Sequence, residues 1–81
     1  MTQFYVLEIQ QLTPGTFAHL VHTESDEDPD LARRKGEAKY YTILAAAAVS
    51  TIASHAAILC SQEGYPLMHK CYEHEVVVTE E

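Results

Sequence analysis

The sequence predicts an α+β domain in the order strand, strand, helix, strand, strand, with one long helix packed on one face of an antiparallel sheet. Two apolar runs rich in β-branched and aromatic residues flank a Pro-Gly turn, and an Asp-Pro pair precedes an alanine-rich helical segment. A second pair of apolar runs flanks a Glu-Gly turn. Because 81 residues, 47% of them apolar, suffice for one thin core, a single small domain over residues 1–81 is predicted.

The first hairpin is predicted from "FYVLEIQQL" and "FAHLVHTES", which meet across "TPGT". A loop over residues 13–16 places Leu12 opposite Phe17. In this register one face of the hairpin collects most of the apolar side chains and is the predicted core face: Tyr5, Leu7, Ile9, Ala18 and Leu20.

The helix is predicted to begin at Asp28 and Pro29, with Asp28 as the N-cap and Pro29 in the first turn. The acidic residues around this point would interact favourably with the positive end of the helix dipole. Gly36 marks either a kink or a close contact, since glycine has low helix propensity. The predicted buried face of the helix consists of Leu31, Ala38, Tyr41, Ala45, Ala48 and Ile52.

The apolar stretch "ILAAAAVSTIASHAAIL", from Ile43 to Leu59, raises the question of a membrane span. It is 17 residues long and contains three hydroxyl side chains and a histidine, whereas a span needs about 20 strongly apolar residues. We therefore predict two elements that join near residues 51–54 and no contact with a membrane.

The second hairpin is predicted to turn at Glu63 and Gly64, which places Cys60 opposite Leu67. Cys71 is then too far from Cys60 for a disulfide, and both thiols are expected to be buried packing groups. The face predicted to contact the helix carries Ala56, Ile58, Cys60, Leu67, His69 and Cys71. The sheet face predicted to remain uncovered carries Phe4, Val6, Phe17, Val21, Leu59, Met68 and Tyr72, and such a face predicts a homo-oligomer.

Charge separates two candidate binding surfaces. Twelve acidic against five basic residues give a net charge of -7, which disfavours direct nucleic-acid binding and favours a basic protein partner. The acidic candidates for partner binding are Glu24, Asp26, Glu27, Asp28 and Asp30, with an acidic tail of Glu73, Glu75, Glu80 and Glu81. The possible anion or nucleotide patch is Arg33, Arg34, Lys39 and Tyr40, although these residues also suit a solvated helix face.

Chemistry-bearing motifs are not found in the sequence. It has no nucleophile elbow, no phosphate-binding glycine loop and no close pair of zinc ligands, so no catalytic residue, metal site or cofactor is predicted. The five histidines are expected at sheet surfaces or an interface. The absence of catalytic motifs predicts a non-enzyme. The first residues, "MTQFYVLEIQ", lack the pattern of a secretory signal, which predicts a protein of the cytoplasm.

The segments "FYVLEIQ", "AHLVHTE", "KYYTILAAAAVS", "HAAIL" and "CYEHE" resemble a group of small proteins without assigned function, carried by phages and prophages of gut Firmicutes. The resemblance covers nearly the whole chain, and no functional residues can be transferred with it. It implies an accessory protein that acts in the host cytoplasm, where small phage proteins often block host defences.

Three functions remain open at this point. The first is an inhibitor similar to anti-CRISPR proteins, whose acidic surface contacts a basic nucleic-acid-binding effector of the host. The second is an oligomeric sponge that sequesters a nucleotide signal on the basic helix patch. The third is a structural phage protein that dimerises through its uncovered sheet face.

Overall fold

The computed structural model describes residues 1–74. Its elements are β1 (Thr2–Thr13), β2 (Thr16–Asp26), α1 (Pro29–Ala48), β3 (Ser54–Cys60) and β4 (Pro66–Glu73). The strands form one antiparallel sheet in the order β2-β1-β3-β4. Helix α1 lies on one face of the sheet and contacts all four strands, β4 least. The predicted ββαββ architecture is therefore confirmed.

The first hairpin turns at Pro14 and Gly15, as predicted. Gly15 has a φ of 80°, a conformation that glycine adopts without a steric cost. An irregularity next to Leu12 shifts the pairing, so that Gln11 and not Leu12 faces Phe17. Because side chains alternate between faces, this one-residue shift separates Ala18 and Leu20 from the odd-numbered apolar residues of β1. The predicted core face of this hairpin was wrong.

The helix begins as predicted. The Asp28 carboxylate accepts a hydrogen bond of 2.9 Å from the backbone N–H of Asp30, and Pro29 is the first helical residue. The helix continues through Gly36 to Ala48, and a short connection leads to β3. The stretch from Ile43 to Leu59 therefore consists of two elements, as expected.

The buried face of α1 is rotated by about one residue from the predicted face. Leu31 and Tyr41 are exposed, whereas Tyr40 is buried. The residues that contact the sheet are Ala32, Gly36, Tyr40, Ile43 and Ala47. Three of these five are alanine or glycine, which allow the helix backbone to approach the sheet closely. The prediction was wrong because it rested on the heptad-like spacing of apolar residues and did not weigh how closely each helix face can approach the sheet.

The sheet face under the helix is also the one that sequence reasoning left uncovered. Val6, Ala57 and Leu59 are fully buried there. Of the residues predicted to be uncovered, Phe17 and Val21 do lie on the other side of the sheet. The remaining five lie on the helix side: Phe4, Val6, Leu59, Met68 and Tyr72.

The predicted helix-facing set of the second hairpin, from Ala56 to Cys71, consequently faces away from the helix. The pairing of β3 with β4 follows the predicted register up to Leu59, where a bulge pairs Cys60 with Pro66. Both thiols are free, but Cys60 is half-buried and Cys71 is exposed. The prediction that both are buried was wrong because the helix covers the opposite face.

Gly36 provides a direct test of the close helix–sheet contact. A Cβ atom at this position would lie 3.0 Å from Leu59 Cδ1 and 3.1 Å from Phe4 Cβ. We expect Gly36→Val to lower the free energy of unfolding by roughly 1–3 kcal/mol, because the helix must move away from the sheet. Urea denaturation measures this loss, and Ala45→Val on the exposed side of the helix is the control. An equal loss in the two variants would contradict the close contact.

Candidate functional site

The acidic segment predicted for partner binding surrounds the N-terminus of α1. Asp26 ends β2 and accepts hydrogen bonds from the Asp28 backbone N–H (3.0 Å) and from Lys35 Nζ (2.8 Å). The hydrogen bond from Lys35 holds the pKa of Asp26 below its ordinary value. Glu27 and Asp28 are exposed, and Glu24 is half-buried. The structure therefore brings the five predicted residues to one end of the domain and gives two of them roles in ordering the helix start.

The acidic tail predicted beside this segment falls largely beyond the described part of the chain. Glu73 ends β4 and is exposed. Glu75, Glu80 and Glu81 lie outside the described residues.

The two arginines of α1 form ion pairs within the helix. Arg33 pairs with Glu37 at 3.0 Å, and Arg34 pairs with Asp30 at 3.1 Å, each one turn away on the helix. Both pairs are exposed, so each stabilises the fold little. Their main effect is to offset the positive charge of the two guanidinium groups locally.

The predicted nucleotide patch is not gathered into one pocket. At about 100° per residue, Arg34 and Lys39 point in directions about 140° apart around the helix. Tyr40 is 4% exposed and packs with Val6 and Leu59 in the core, where burial raises its pKa. Its ring therefore offers no open face on which a base could stack beside Arg33.

A polar cluster that sequence reasoning missed lies on the helix side of the sheet. The Glu8 carboxylate is 2.8 Å from His55 Nε2 on β3 and 3.6 Å from His22 Nε2 on β2. Gln10 Nε2 donates a hydrogen bond of 3.0 Å to the same carboxylate. His55 is 3% exposed. We call Glu8, Gln10, His22 and His55 the Glu8 cluster.

In the Glu8 cluster, the contact with the Glu8 carboxylate holds the imidazole ring of His55 in one orientation. Partial burial raises the pKa of Glu8, but the hydrogen bonds from His55 and Gln10 together outweigh it, so that the pKa lies below its ordinary value. Nδ1 of His55 is buried and has no hydrogen-bond partner among residues 1–74. Glu8 therefore holds the His55 ring through Nε2, while burial keeps Nδ1 away from any ligand in solvent.

The contribution of Glu8 to stability should depend on pH. Since its folded-state pKa is lowered, the contribution is fully present above the ordinary pKa of about 4.5 and is lost as the pH falls through the folded value. We expect Glu8→Gln to cost about 1–3 kcal/mol at pH 7, with a smaller cost below pH 4. Urea midpoints from pH 7 to pH 3 test this, with Glu37→Gln as an exposed control. A cost of Glu8→Gln that is the same at every pH would contradict a stabilising role of the ionised Glu8 carboxylate.

A shallow cleft opens beside the Glu8 cluster, where the first hairpin extends from the rest of the domain. Its volume is about 300 Å³, and its walls are formed by Glu8, Gln10, Ala18, His19 and Leu20. Within residues 1–74, no three His, Cys, Asp or Glu side chains are placed to hold a metal ion. Among the described helices, none is long and apolar enough to cross a membrane.

The largest apolar feature outside the core is the sheet surface that the helix leaves uncovered. Strand alternation, read from the observed register, places twelve apolar, histidine and cysteine side chains there, together with polar residues. We call them the open sheet face: Tyr5, Leu7, Ile9, Phe17, His19, Val21, Ala56, Ile58, Cys60, Leu67, His69 and Cys71. Phe17 and Val21 are 56% and 59% exposed. Around these twelve side chains the same face carries polar residues and one glutamate, Glu73, which lies opposite Ser54 at the end of β4. The uncharged polar residues are Gln3, Gln11, Thr23, Ser25 and Ser54.

Sequence reasoning anticipated an uncovered apolar face and placed Phe17 and Val21 on it correctly, but the other five predicted side chains lie on the helix side. The Glu8 cluster was missed because it depends on the contact between β1 and β3, and Glu8 and His55 are 47 positions apart. A useful signal was present in Glu8 and His22, polar residues within apolar strands. These two residues meet only in the register that the structure shows.

Comparison of the chain with protein-family models, with curated proteins and with solved structures finds no match in any of the three.

Proposed function

We propose that the chain is a non-enzymatic protein-binding module and that the open sheet face is its binding surface. The observation that carries the proposal is the set of apolar and uncharged side chains across the middle of a sheet face, in a chain of net charge -7. Glu73, the charged residue of this face among residues 1–74, lies at its border. Contiguous exposed apolar surface of this kind is typical of protein interfaces.

The arrangement of side chains supports this proposal. Leu7 lies at the centre of the face, with Val21 directly opposite on β2 and Ile58 directly opposite on β3. Uncharged polar residues, including Gln3 and Ser25, surround this centre. An apolar centre with a polar border is the usual composition of a protein interface.

Site-specific photo-crosslinking in living cells tests the proposal. A benzophenone amino acid at Val21 should form a covalent adduct with a protein, whether a second copy of the chain or another partner. The same probe at Leu20 is the matched control, because Leu20 is similarly exposed but lies on the helix side. Equal adducts at both positions, or no adduct at Val21, would contradict the proposal.

A second function, inhibition of a basic host protein through the acidic segment, has support of its own. Glu24, Glu27 and Asp28 form no salt bridge among residues 1–74, so negative charge remains at the helix N-terminus despite the pairs made by Asp26 and Asp30. An uncompensated acidic surface favours fast association with a basic partner. The nucleotide-sponge alternative has no comparable support, since the Tyr40 ring is buried.

Phage growth in a defended host tests the second function. If the chain protects the phage, replacing Glu24 and Glu27 with glutamine should reduce protection, while Asp26 and Asp28 are retained to preserve the helix start. A double variant, Glu37→Gln with Glu63→Gln, removes the same charge elsewhere and is the control. A parent protein that never protects the phage would rule out the counter-defence role.

A further inference from the structure

We propose that the occupant of the open sheet face is a second copy of this chain. The two copies pack sheet against sheet, so that the dimer has four layers in the order helix, sheet, sheet, helix. This inference rests on the proposed function, which assigns the open sheet face as the binding surface, and it adds the identity of the partner.

The register defines the centre of the contact. One continuous row crosses all four strands and consists of Val21, Leu7, Ile58 and His69, each opposite its neighbour. Three of these four side chains are branched aliphatic groups, which interdigitate well when two sheets pack about 10 Å apart. A row that passes through the middle of the face is well placed for the self-complementary contact that a two-fold dimer requires.

Charge explains why a second copy is a suitable partner in spite of the strong negative charge of each chain. Two molecules of net charge -7 repel each other unless their charged groups remain far apart or solvated. Asp28, Asp30 and Glu37 lie on the helix and its N-terminus, so the sheet lies between them and the open sheet face. Glu73 lies on the open side, but at the end of the edge strand β4 and away from the central row. A sheet separation of about 10 Å already exceeds the Debye length of about 8 Å at physiological ionic strength. Contact through this face therefore brings two acidic proteins together with little repulsion.

The size of the face is sufficient for a specific, weak to moderate dimer. Four strands spaced about 4.8 Å apart, each about nine residues long on average with a rise of about 3.3 Å per residue, give an area on the order of 600 Å² per copy. Two copies then bury about 1,200 Å², which is the lower limit for stable specific interfaces. An 81-residue domain has a thin core, and the added burial would stabilise each copy.

The two cysteines provide reporters that do not require labelling. Cys60 and Cys71 are free and belong to the open sheet face. Formation of the dimer would cover them, whereas pairing of edge strands or contact through α1 would leave the exposed Cys71 accessible. Thiol reactivity therefore distinguishes the proposed surface from other ways of forming a dimer.

Sedimentation of the full chain over a concentration series is the first measurement. The parent should sediment as a dimer at about tens of micromolar, as expected for an interface of this size. Val21→Lys places an ammonium group in the central row and should weaken association by about 100-fold or more. Leu20→Lys, at the neighbouring exposed position on the helix side, should leave association unchanged. Circular dichroism verifies that both variants are folded.

Three outcomes of this measurement would overturn the proposal. The first is a parent that remains monomeric at millimolar concentration. The second is a folded Val21→Lys variant that is still fully dimeric. The third is an equal loss of association in the Val21 and Leu20 variants.

Thiol labelling with a maleimide is the second measurement. As the concentration of the parent rises through its dissociation constant, the labelling rate of Cys71 should fall several-fold, and it should stay constant in Val21→Lys. A dimer that labels at the monomer rate uses another surface and overturns the proposal. A monomeric parent that nevertheless crosslinks to a different protein from Val21 overturns this inference but supports the proposed function. A monomer without any crosslink contradicts both.

Discussion

Leu59→Ala is expected to lower the free energy of unfolding by about 2–5 kcal/mol, a large part of the stability of a small domain. Leu59 is fully buried and packs with Val6, Tyr40 and Ile43 beneath the helix. Its removal leaves a cavity between the sheet and α1, because Gly36 already lies close to the sheet and the helix backbone cannot move far inward. Urea denaturation monitored by circular dichroism measures the loss.

Ile58→Ala is the matched comparison, because Ile58 is the preceding residue of β3 but lies on the open sheet face. It is half-buried, so its replacement should cost about 0.5–1.5 kcal/mol in the monomer, less than that of Leu59. In a dimer, the cost of Ile58→Ala should grow with protein concentration, while the cost of Leu59→Ala should not. Equal costs at low concentration would mean that the helix does not cover the face that contains Leu59.

Tyr40→Ala is expected to lower the free energy of unfolding by about 3–5 kcal/mol, which is comparable with the loss when other large aromatic side chains are removed from a core. The ring is buried under α1, and burial raises the pKa of its hydroxyl. Since the neutral phenol is favoured in the folded state, the stability associated with this group is present below its ordinary pKa and is lost as the pH rises through the raised value. Thermal unfolding at pH 7 measures the main effect.

Tyr41→Ala is the control at the next position of the helix. Tyr41 is 56% exposed and contacts the Tyr40 ring edge-on, with the two ring centroids 5.3 Å apart. Its replacement should cost about 1 kcal/mol or less. The reverse order, with Tyr41 more costly than Tyr40, would restore the helix face that the sequence pattern predicts and would expose Tyr40 beside Arg33.

Local signals predicted the elements well. The Pro14-Gly15 and Glu63-Gly64 pairs mark turns because glycine adopts positive φ without strain, and both glycines do so in the structure. Asp28 and Pro29 identified the helix start because a side-chain acceptor and a fixed φ are needed within a few residues of each other. Each of these signals depends on neighbours in the chain, so each can be read from the sequence.

The candidate surfaces could be predicted less completely. The acidic segment was found because its residues lie within residues 24–30, and its use in ion pairing became apparent with the positions of Lys35 and Arg34. The Glu8 cluster was not found, since it needs one strand register and one contact between distant strands. The uncovered apolar face was expected in principle, but most of its members were assigned to the wrong side.

The amino-acid sequence alone determined the order of the elements, their turns, the start of the helix and the large excess of negative charge. The tertiary structure decided which face of the sheet the helix covers. That choice depends on close packing of Gly36 against Phe4 and Leu59, where the fit of small and large side chains outweighs the total apolar bulk of a face. Because every side chain in a strand changes sides with a one-residue shift, the same decision placed Leu7 and Ile58 on the open sheet face and brought Glu8 to His55 beside the core.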